Sequence, residues 1–255
     1  DEVSIEAVKR GRGDPRLLAT VLIEVDSSGG RVDVRTSHTG RNDRVSVDYT
    51  ITLPASTAVE AKSISGGVRV TGVQGPVRIE TISGNLSTSA TPRLELAKTV
   101  SGNVDVTDVT TERDLSVSSI SGTVRGKNVK AHALELLTVS GDLIVTDAVC
   151  DRLQARSVSG NIEYSGSLAR TGRYDFTSHS GDLRLTLPDS PGFHLTANTF
   201  SGTIRSELPL TPGGDAGRDR RSRSRNQRAI EGTFGDGSAV VSARTFSGDL
   251  VIVKR

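Results

Sequence analysis

The chain has 255 residues, with 32 Lys and Arg against 30 Asp and Glu, 3% aromatic residues and one Cys. Its net charge of +2 excludes a global electrostatic preference for nucleic acid or acidic membranes. The lone Cys150, expected to be a small buried residue, excludes an internal disulfide framework, and four scattered His disfavour a zinc site. No apolar run approaches the roughly 18 residues of a membrane-spanning helix, so no transmembrane segment is expected in this chain.

Residues 1–58 are predicted to form an atypical N-terminal β cap. Three stretches have strand-like patterns, with a turn between the first two: 18–25, 31–34 and 45–53, with the turn at Ser28-Gly29-Gly30. Terminal units of repeat proteins are commonly atypical, because they close the open end of the stack. We therefore predict a single domain over residues 1–255, in which residues 59–255 carry the repeated coils.

From residue 59 onward one phrase recurs, [Ser/Thr]-[apolar]-Ser-Gly-x-[apolar]. Its Ser-Gly pairs lie at Ser65-Gly66, Ser83-Gly84, Ser101-Gly102, Ser121-Gly122, Ser140-Gly141, Ser159-Gly160, Ser180-Gly181, Ser201-Gly202 and Ser247-Gly248. The successive steps are 18, 18, 20, 19, 19, 21, 21 and 46 residues, which indicates one structural unit with an enlarged copy near the end. A period in this range is typical of a solenoid.

Apolar side chains occupy fixed places in every copy of the phrase. Residues three after the Ser are apolar, as at Leu86 and Val104, and so are those four before it, as at Ile79 and Val117. Polar residues alternate with them, which is the period of a β-strand, and a strand plus a crossover helix would need about 30 residues. The sequence therefore predicts an all-β fold, a parallel β-solenoid (β-helix) of about nine coils of 18–21 residues. Each coil is predicted to have one strand before the Ser-Gly pair and one after it.

The Gly of each phrase is predicted to turn a corner, where a Cβ would clash or φ would be positive. Asn or Asp follows this Gly in six copies, which suits a turn. Stacked Asn and Asp residues also suggest a calcium ladder, but Gly67, Thr123 and Thr203 interrupt the column, and calcium requires several converging oxygens. We therefore favour a structural corner.

The residue directly before each Ser forms a column whose direction the sequence leaves open. The column consists of Ile64, Ile82, Val100, Ile120, Val139, Val158, His179, Phe200 and Phe246. The apolar positions four before and three after the Ser are seven residues apart, so strict strand alternation would point their side chains to opposite faces. For both to lie in the core, the chain must change face once between them. If the change of face falls before the column, the side chains of the column are buried. We favour this because monomers rarely expose so large an apolar patch. A change at the Gly would instead leave the column outside, as a functional surface.

Residues at about 209–237 enlarge one copy of the repeat and are predicted to form a mobile Arg-rich loop. Their Gly-, Pro- and Arg-rich composition buries too little apolar surface to become ordered. The candidate contacts for a polyanion are Arg218, Arg220, Arg221, Arg223, Arg225 and Arg228. A solvated loop is the simpler interpretation, and contact with lipid headgroups, wall polymers or nucleic acid is the alternative.

We predict no catalytic residue, no cofactor and no metal site. His38, His132, His179 and His194 lack paired metal-ligand spacing, and the sequence has no Gly-x-Ser-x-Gly motif or phosphate-binding loop. His179 is predicted to replace an apolar residue in its column. Carboxylates such as Glu80 fit outward strand positions and indicate a charged outer face.

Several segments together carry a family resemblance. They are the repeated Thr-[Ile/Val]-Ser-Gly-[Asn/Asp] phrase, the run 178–188, the C-terminal segments 235–238 and 244–250, and the lead-in segments 3–10 and 45–54. They closely resemble bacterial proteins of the DUF4097 family, whose members are labelled as adhesins. The resemblance covers nearly the whole chain and implies a β-solenoid that is often extracytoplasmic and sometimes next to envelope-stress functions. It supplies no catalytic residues to carry over.

The expected function is that of a non-enzymatic, envelope-associated or secreted, adhesin-like binding or scaffolding module. A periplasmic, cell-surface or secreted location is implied by the resemblance and by a start at Asp1 without Met. The expected partner is an envelope polymer, a lipid headgroup or another protein, and nucleic acid is disfavoured. One alternative is a polysaccharide-acting β-helix enzyme, which would need acids and bases from neighbouring coils in one groove. The other is a structural protein that polymerises through its open ends.

Overall fold

The computed structural model describes residues 2–11, 15–39, 45–189, 191–211 and 228–255. Within these residues the ordered elements are β-strands and one short 3-10 helix, with no α-helix. The chain divides into two compact units, Asp1–Pro54 and Ala55–Arg255. That the first unit caps the second within a single domain stays a prediction.

The first unit consists of two antiparallel strand pairs. Its elements are β1 (Ser4–Gly11), a 3-10 helix (Pro15–Thr20), β2 (Val21–Ser28), β3 (Arg31–His38) and β4 (Val45–Thr52). β1 pairs with β4 and β2 with β3, and the turn predicted at Gly29-Gly30 closes the β2–β3 hairpin with φ of 59° and 78°. Residues 18–20, predicted as strand, lie in the 3-10 helix instead. There the Thr20 hydroxyl donates to the Leu17 carbonyl at 2.6 Å, a local bond that competes with sheet pairing.

The second unit is a stack of parallel coils. Its strands are β5 (Val59–Ser65), β6 (Val68–Thr71), β7 (Val77–Ser83), β8 (Leu86–Ser89), β9 (Leu94–Ser101), β10 (Val104–Thr110), β11 (Asp114–Ser121), β12 (Val124–Ser140), β13 (Leu143–Ser159), β14 (Ile162–Ser180), β15 (Leu183–Leu187), β16 (Phe193–Ser201), β17 (Ile204–Ser206), β18 (Ala229–Phe234), β19 (Ala239–Ser247) and β20 (Leu250–Lys254). Corresponding strands of neighbouring coils pair in register, for example Ser83 with Ser101 and Val104 with Val124. This is the parallel β-solenoid that the repeat predicted.

The middle coils differ from the predicted two-strand unit, because their strands continue around further corners. β12, β13 and β14 contain 17, 17 and 19 residues. A second corner lies seven residues after the Ser, and at Asp108, Asn128 and Asp147 it has left-handed φ values of 51–54°. Asn and Asp adopt this conformation more readily than most residues. The Asn128 amide also donates to the Asp108 carboxylate at 2.7 Å and so links two coils.

The core is a set of columns of equivalent side chains. From Ile79 and Leu86 onward, the positions four before and three after the Ser are buried, as predicted. The coil of β14 holds the largest side chains, and the Tyr164 ring lies 5.2 Å from Phe176 and 6.3 Å from Tyr174. The Tyr174 hydroxyl donates to the Cys150 carbonyl, so this buried polar group is satisfied.

The last coil in the sequence is not the last coil in the stack. β19 lies between β14 and β16, and β20 lies between β15 and β17. The final repeat therefore does not end the stack, because the coil of β16 and β17 occupies that end. The 46-residue step before Ser247 gives the chain enough length to return and insert one level earlier.

The solenoid makes about seven turns, and nine copies of the strand that precedes the Ser-Gly corner stack along it. Eight phrases from Ser65 to Ser201 enclose seven sequential turns. The ninth phrase, at Ser247, belongs to the inserted coil.

β18 covers the outer edge of β16. The two strands pair antiparallel, and the Phe193 and Phe234 rings lie 5.4 Å apart. The prediction of one mobile loop over about 209–237 is therefore wrong for residues 229–234. Gly232 of β18 permits the close approach of a further segment, since a Cβ there would lie 2.9 Å from the Leu210 Cβ. A sheet edge that is already paired does not recruit another strand.

The Gly corners bring neighbouring coils into their closest contact. A Cβ on Gly122 would lie 2.0 Å from the Gly102 carbonyl oxygen, and Gly122 has a φ of 153°, so only glycine fits. The Asn or Asp that follows such a Gly accepts a backbone N–H from the next coil. The Asn103 N–H donates to Asn85 Oδ1 at 2.9 Å in this way. The Asn and Asp column is therefore a hydrogen-bonded corner, as the sequence favoured.

Candidate functional site: an exposed apolar stripe

An exposed apolar stripe runs along the outer face of the strands that precede the Ser-Gly corners. In stack order the stripe consists of Ile64, Ile82, Val100, Ile120, Val139, Val158, His179, Phe246 and Phe200. The exposed fraction of its apolar side chains ranges from 36% at Val100 to 77% at Ile64. The favoured prediction that this column is buried is therefore wrong, and the external alternative is correct.

The Ser or Thr two residues before each Ser-Gly pair explains why the stripe faces outward. From Thr81 onward this residue is buried, and because side chains alternate along a strand, the next residue must point out. From Thr99 onward its hydroxyl donates to the carbonyl of a corner Gly in the neighbouring coil, at 2.9 Å from Ser119 to Gly102 and 3.1 Å from Thr99 to Gly84. A buried hydroxyl with an acceptor carries little penalty. The change of face between the two core positions of each repeat therefore falls at the Gly, after the stripe.

Three stacked rings form one end of the stripe. The His179 and Phe246 rings lie 5.0 Å apart at 11°, and the Phe246 and Phe200 rings lie 4.7 Å apart at 6°. As predicted, His179 takes a place otherwise held by apolar residues. The rings stack on one another, so their edges face solvent and add to the apolar surface.

Two charged columns flank the stripe. On one side, three residues before each Ser, stands the cationic column of Lys62, Glu80, Lys98, Arg156 and Arg244, with four cations, one anion and a net charge of +3. On the other side, two residues after each Ser, stands the anionic column of Asp142, Asp182 and Asp249, with a net charge of −3. The stripe therefore separates opposite charges along its length.

Asp249 shows how the anionic column is held. Its Oδ1 accepts the Thr203 backbone N–H at 2.8 Å, and this bond, with that from the Thr203 hydroxyl, lowers the pKa of the carboxyl. The Asp182 carboxylate likewise accepts the Asp249 N–H at 2.8 Å. These carboxylates are thus fixed at the corner that borders the stripe, three residues along the chain from the stripe residue of the same level.

An open groove of about 990 Å³ follows the stripe from Ile120 to Phe200, with Lys98, Arg156 and Arg244 along one wall. Small-molecule sites usually enclose most of the ligand. This groove offers instead a long apolar contact surface with cations on one side.

A second groove of about 840 Å³ lies on the same sheet, farther from the corner, and is lined by ion pairs. Glu95 accepts from Arg78 at 2.9 Å and from Arg113 at 3.1 Å. The Arg78 hydrogen bond is the main cause that lowers the pKa of Glu95. A general acid needs a raised pKa, so this site is better suited to holding coils together than to catalysis.

The His residues and the Cys are not brought together. His132 lies 3.1 Å from Asp114, and His194 lies 3.5 Å from Glu231 in a different part of the stack. Burial raises the pKa of the Cys150 thiol to about 12, which makes it a poor nucleophile. The described residues contain no cluster of three or more His, Cys, Asp or Glu side chains that could hold a metal ion. They also contain no helix long and apolar enough to cross a membrane.

Most of the predicted polyanion contacts lie outside the described residues. These are Arg218, Arg220, Arg221, Arg223 and Arg225. Arg228 is described, is exposed, and accepts the Thr199 N–H on its backbone carbonyl at 2.8 Å. It therefore stands where β18 begins, beside the end of β16.

A signal for the direction of the stripe is present in the sequence. The Ser or Thr two places before each Ser-Gly pair recurs in all nine copies, a regularity that surface positions do not require. If these residues have buried hydroxyls, strand alternation places the next residue, which belongs to the column, on the outside.

Searches of curated proteins and of solved structures gave no significant match. A family model described as Toastrack DUF4097 matches residues 49–253, which includes all the repeated coils. The match carries no activity or partner with it. The chain belongs to the Toastrack DUF4097 family.

Proposed function

We propose that the protein is a non-enzymatic, envelope-associated or secreted module that binds and scaffolds another protein through the stripe. The observation that carries this proposal is the exposure of the stripe over nine levels of the stack. A contiguous apolar patch of several hundred Å² marks an interaction site far more often than a bare monomer surface.

The stripe is well placed for binding because its backbone is held on both sides. Corner N–H groups, buried hydroxyls and the parallel ladder fix each coil to the next. Equivalent side chains therefore repeat at roughly 4.8 Å along the stack. A rigid surface loses little conformational entropy on binding.

The alternatives receive less support from the described residues. A polysaccharide-acting enzyme needs an acid and a base converging on one point, whereas Glu95 is held ionised by two arginines. Polymerisation through open ends is hindered at the coil of β16, because β18 already pairs with that edge. The location in the envelope is inferred from the family resemblance.

Photo-crosslinking tests this proposal directly. A photoreactive phenylalanine analogue replaces Ile120 in the stripe, and a matched control replaces Val149. Both side chains are similarly exposed, 45% and 42%, but Val149 lies beyond the second corner and off the stripe. Cells that produce each variant are irradiated and fractionated.

The expected result is a covalent product of higher mass in the envelope or secreted fraction for position 120 and none for position 149. Equal products at both positions, or none at either, would contradict the proposal. Release of sugars from polysaccharides by the purified protein would favour the enzyme instead.

A further inference from the structure

We infer that the partner of the stripe is a second copy of this chain, packed stripe against stripe with the two stacks side by side and parallel. This inference rests on the proposed function, since it names the partner of the same surface. It is carried by the area of the stripe and by the arrangement of charge on its two sides.

The area of the stripe matches what a stable dimer needs. Eight apolar side chains, each 36–77% exposed, present on the order of 100 Å² each, or roughly 800 Å² per copy, which is the share of one partner in a standard interface. The stripe is also long, because nine levels at about 4.8 Å span about 40 Å. The apolar contact therefore lies in one continuous seam.

The flanking columns select the relative orientation of the two copies. A two-fold axis parallel to the stack exchanges the two sides of the stripe, so the cationic column of one copy faces the anionic column of the other. A two-fold axis across the stack leaves the sides unchanged and sets like charges against each other. Opposite charges steer association and like charges oppose it, so the parallel arrangement is favoured.

Particular residues meet in this arrangement. Arg244 and Asp249 flank the same level of the stripe, so each Arg244 faces Asp249 of the second copy. Arg156 flanks the level between those of Asp142 and Asp182, and it therefore lies opposite two carboxylates one step away on either side. Side chains of the stripe meet their own equivalents, as an isologous interface requires.

The same charges argue against a lipid surface or an anionic polymer as the occupant. Such a surface would attract the cationic column but repel Asp142, Asp182 and Asp249 on the other side of the stripe. A second copy satisfies both columns at once. The observations therefore favour self-association over membrane or polymer binding.

Measurement of mass in solution tests the inference on the full chain. Light scattering coupled to size exclusion should give twice the single-chain mass of 26.9 kDa at micromolar concentration. Val139→Asp, in the middle of the stripe, should give a single-chain mass. The matched control Val149→Asp should remain a dimer, because Val149 lies off the stripe. The two side chains are otherwise similarly exposed, 44% for Val139 and 42% for Val149. Thermal melting of both variants within a few degrees of the parent shows that each is folded.

Crosslinking distinguishes the two orientations. In stack order Ile82 is second and Phe246 is eighth of nine levels. In a parallel dimer, Ile82→Cys alone and Phe246→Cys alone each crosslink to themselves with a short bis-maleimide, which can bridge facing sheets about 10 Å apart. In an antiparallel dimer only a mixture of the two variants crosslinks. The buried thiol of Cys150 serves as the background control in the parent chain.

The outcomes separate this inference from the proposed function. A single-chain mass for the parent up to millimolar concentration, a dimer unchanged by Val139→Asp, or crosslinking only in the mixture overturns the inference. If position 120 then crosslinks to a protein of a different mass, the proposed function stands and only the identity of the partner is wrong. If position 120 crosslinks to nothing, both fall.

Discussion

Replacement of a corner glycine by alanine should destabilise the solenoid far more than replacement of a buried strand glycine. Gly141 has a φ of 152°, and a Cβ there would lie 2.2 Å from the Gly122 carbonyl oxygen. Gly126 is the matched control, because its Cβ would meet only Val129 and Val145 side chains at 3.5 and 3.9 Å. These latter distances are ordinary van der Waals contacts.

The size of the effect follows from two separate costs. An alanine at a φ reserved for glycine costs about 1–3 kcal/mol in backbone strain. Moving the Gly122 carbonyl by about 1 Å to relieve the clash weakens the corner bonds from Gly122 N–H to Ser140 and from Gly141 N–H to Ser159, at about 1 kcal/mol each. We expect Gly141→Ala to lower the free energy of unfolding by about 4 kcal/mol. Gly126→Ala should change it by less than about 1 kcal/mol in either direction.

Thermal melting followed by circular dichroism measures the difference. At about 2–4 °C per kcal/mol for a chain of this size, Gly141→Ala should melt roughly 10 °C below the parent, and Gly126→Ala within about 3 °C of it. A Gly141→Ala variant that melts with the parent would show that the corner relaxes at little cost. The explanation of the repeated glycine would then be wrong.

Three further outcomes are expected. Because burial raises the pKa of the Cys150 thiol to about 12, a thiol reagent at pH 8 should modify the native protein at least about 100-fold more slowly than the chain in urea, and equal rates would contradict burial. The Arg78 hydrogen bond lowers the pKa of Glu95 below its ordinary value of 4.5, so the stabilisation is present above that value and is lost as pH falls through the lowered, folded-state pKa. Glu95→Gln should therefore reduce stability by less than about 1 kcal/mol at pH 7, and this effect should shrink as the pH falls below 4.5. An effect of the same size at all pH values would refute the ion-pair explanation. Replacing residues 213–226, which lie outside the described residues, by a six-residue Gly/Ser linker should leave the melting temperature unchanged and remove any retention on heparin. The linker is needed because the strand register sets Thr211 and Arg228 about 17 Å apart. A large drop in melting temperature would show that these residues stabilise the fold.

The repeat by itself determined the architecture of the second unit. In a parallel stack each residue meets its equivalent in the next coil, so a position that must be glycine or apolar in one coil must be so in all of them. The corners at Gly84 and Gly122, the core columns and the Asn and Asp ladder could therefore be predicted from spacing. The family resemblance pointed to the same fold.

The order of the last coils could not be predicted in this way. Strands β19 and β20 present the same in-register pattern to either neighbour, so the local pairing is nearly equal whether they lie at the end or one level inside. What distinguishes the two arrangements is the docking of β18 on β16. These contacts join segments far apart in the chain, and the repeat carries no information about them.

The direction of the stripe also depended on the folded molecule. Strand alternation predicts that Ser119 and Ile120 point to opposite sides of the sheet, but it does not predict which side is the interior. Hydrophobicity alone favours a buried Ile120. Only the stacked coils place the Gly102 carbonyl within 2.9 Å of the Ser119 hydroxyl, and this acceptor allows the small polar residue to be buried and leaves the apolar residue on the surface.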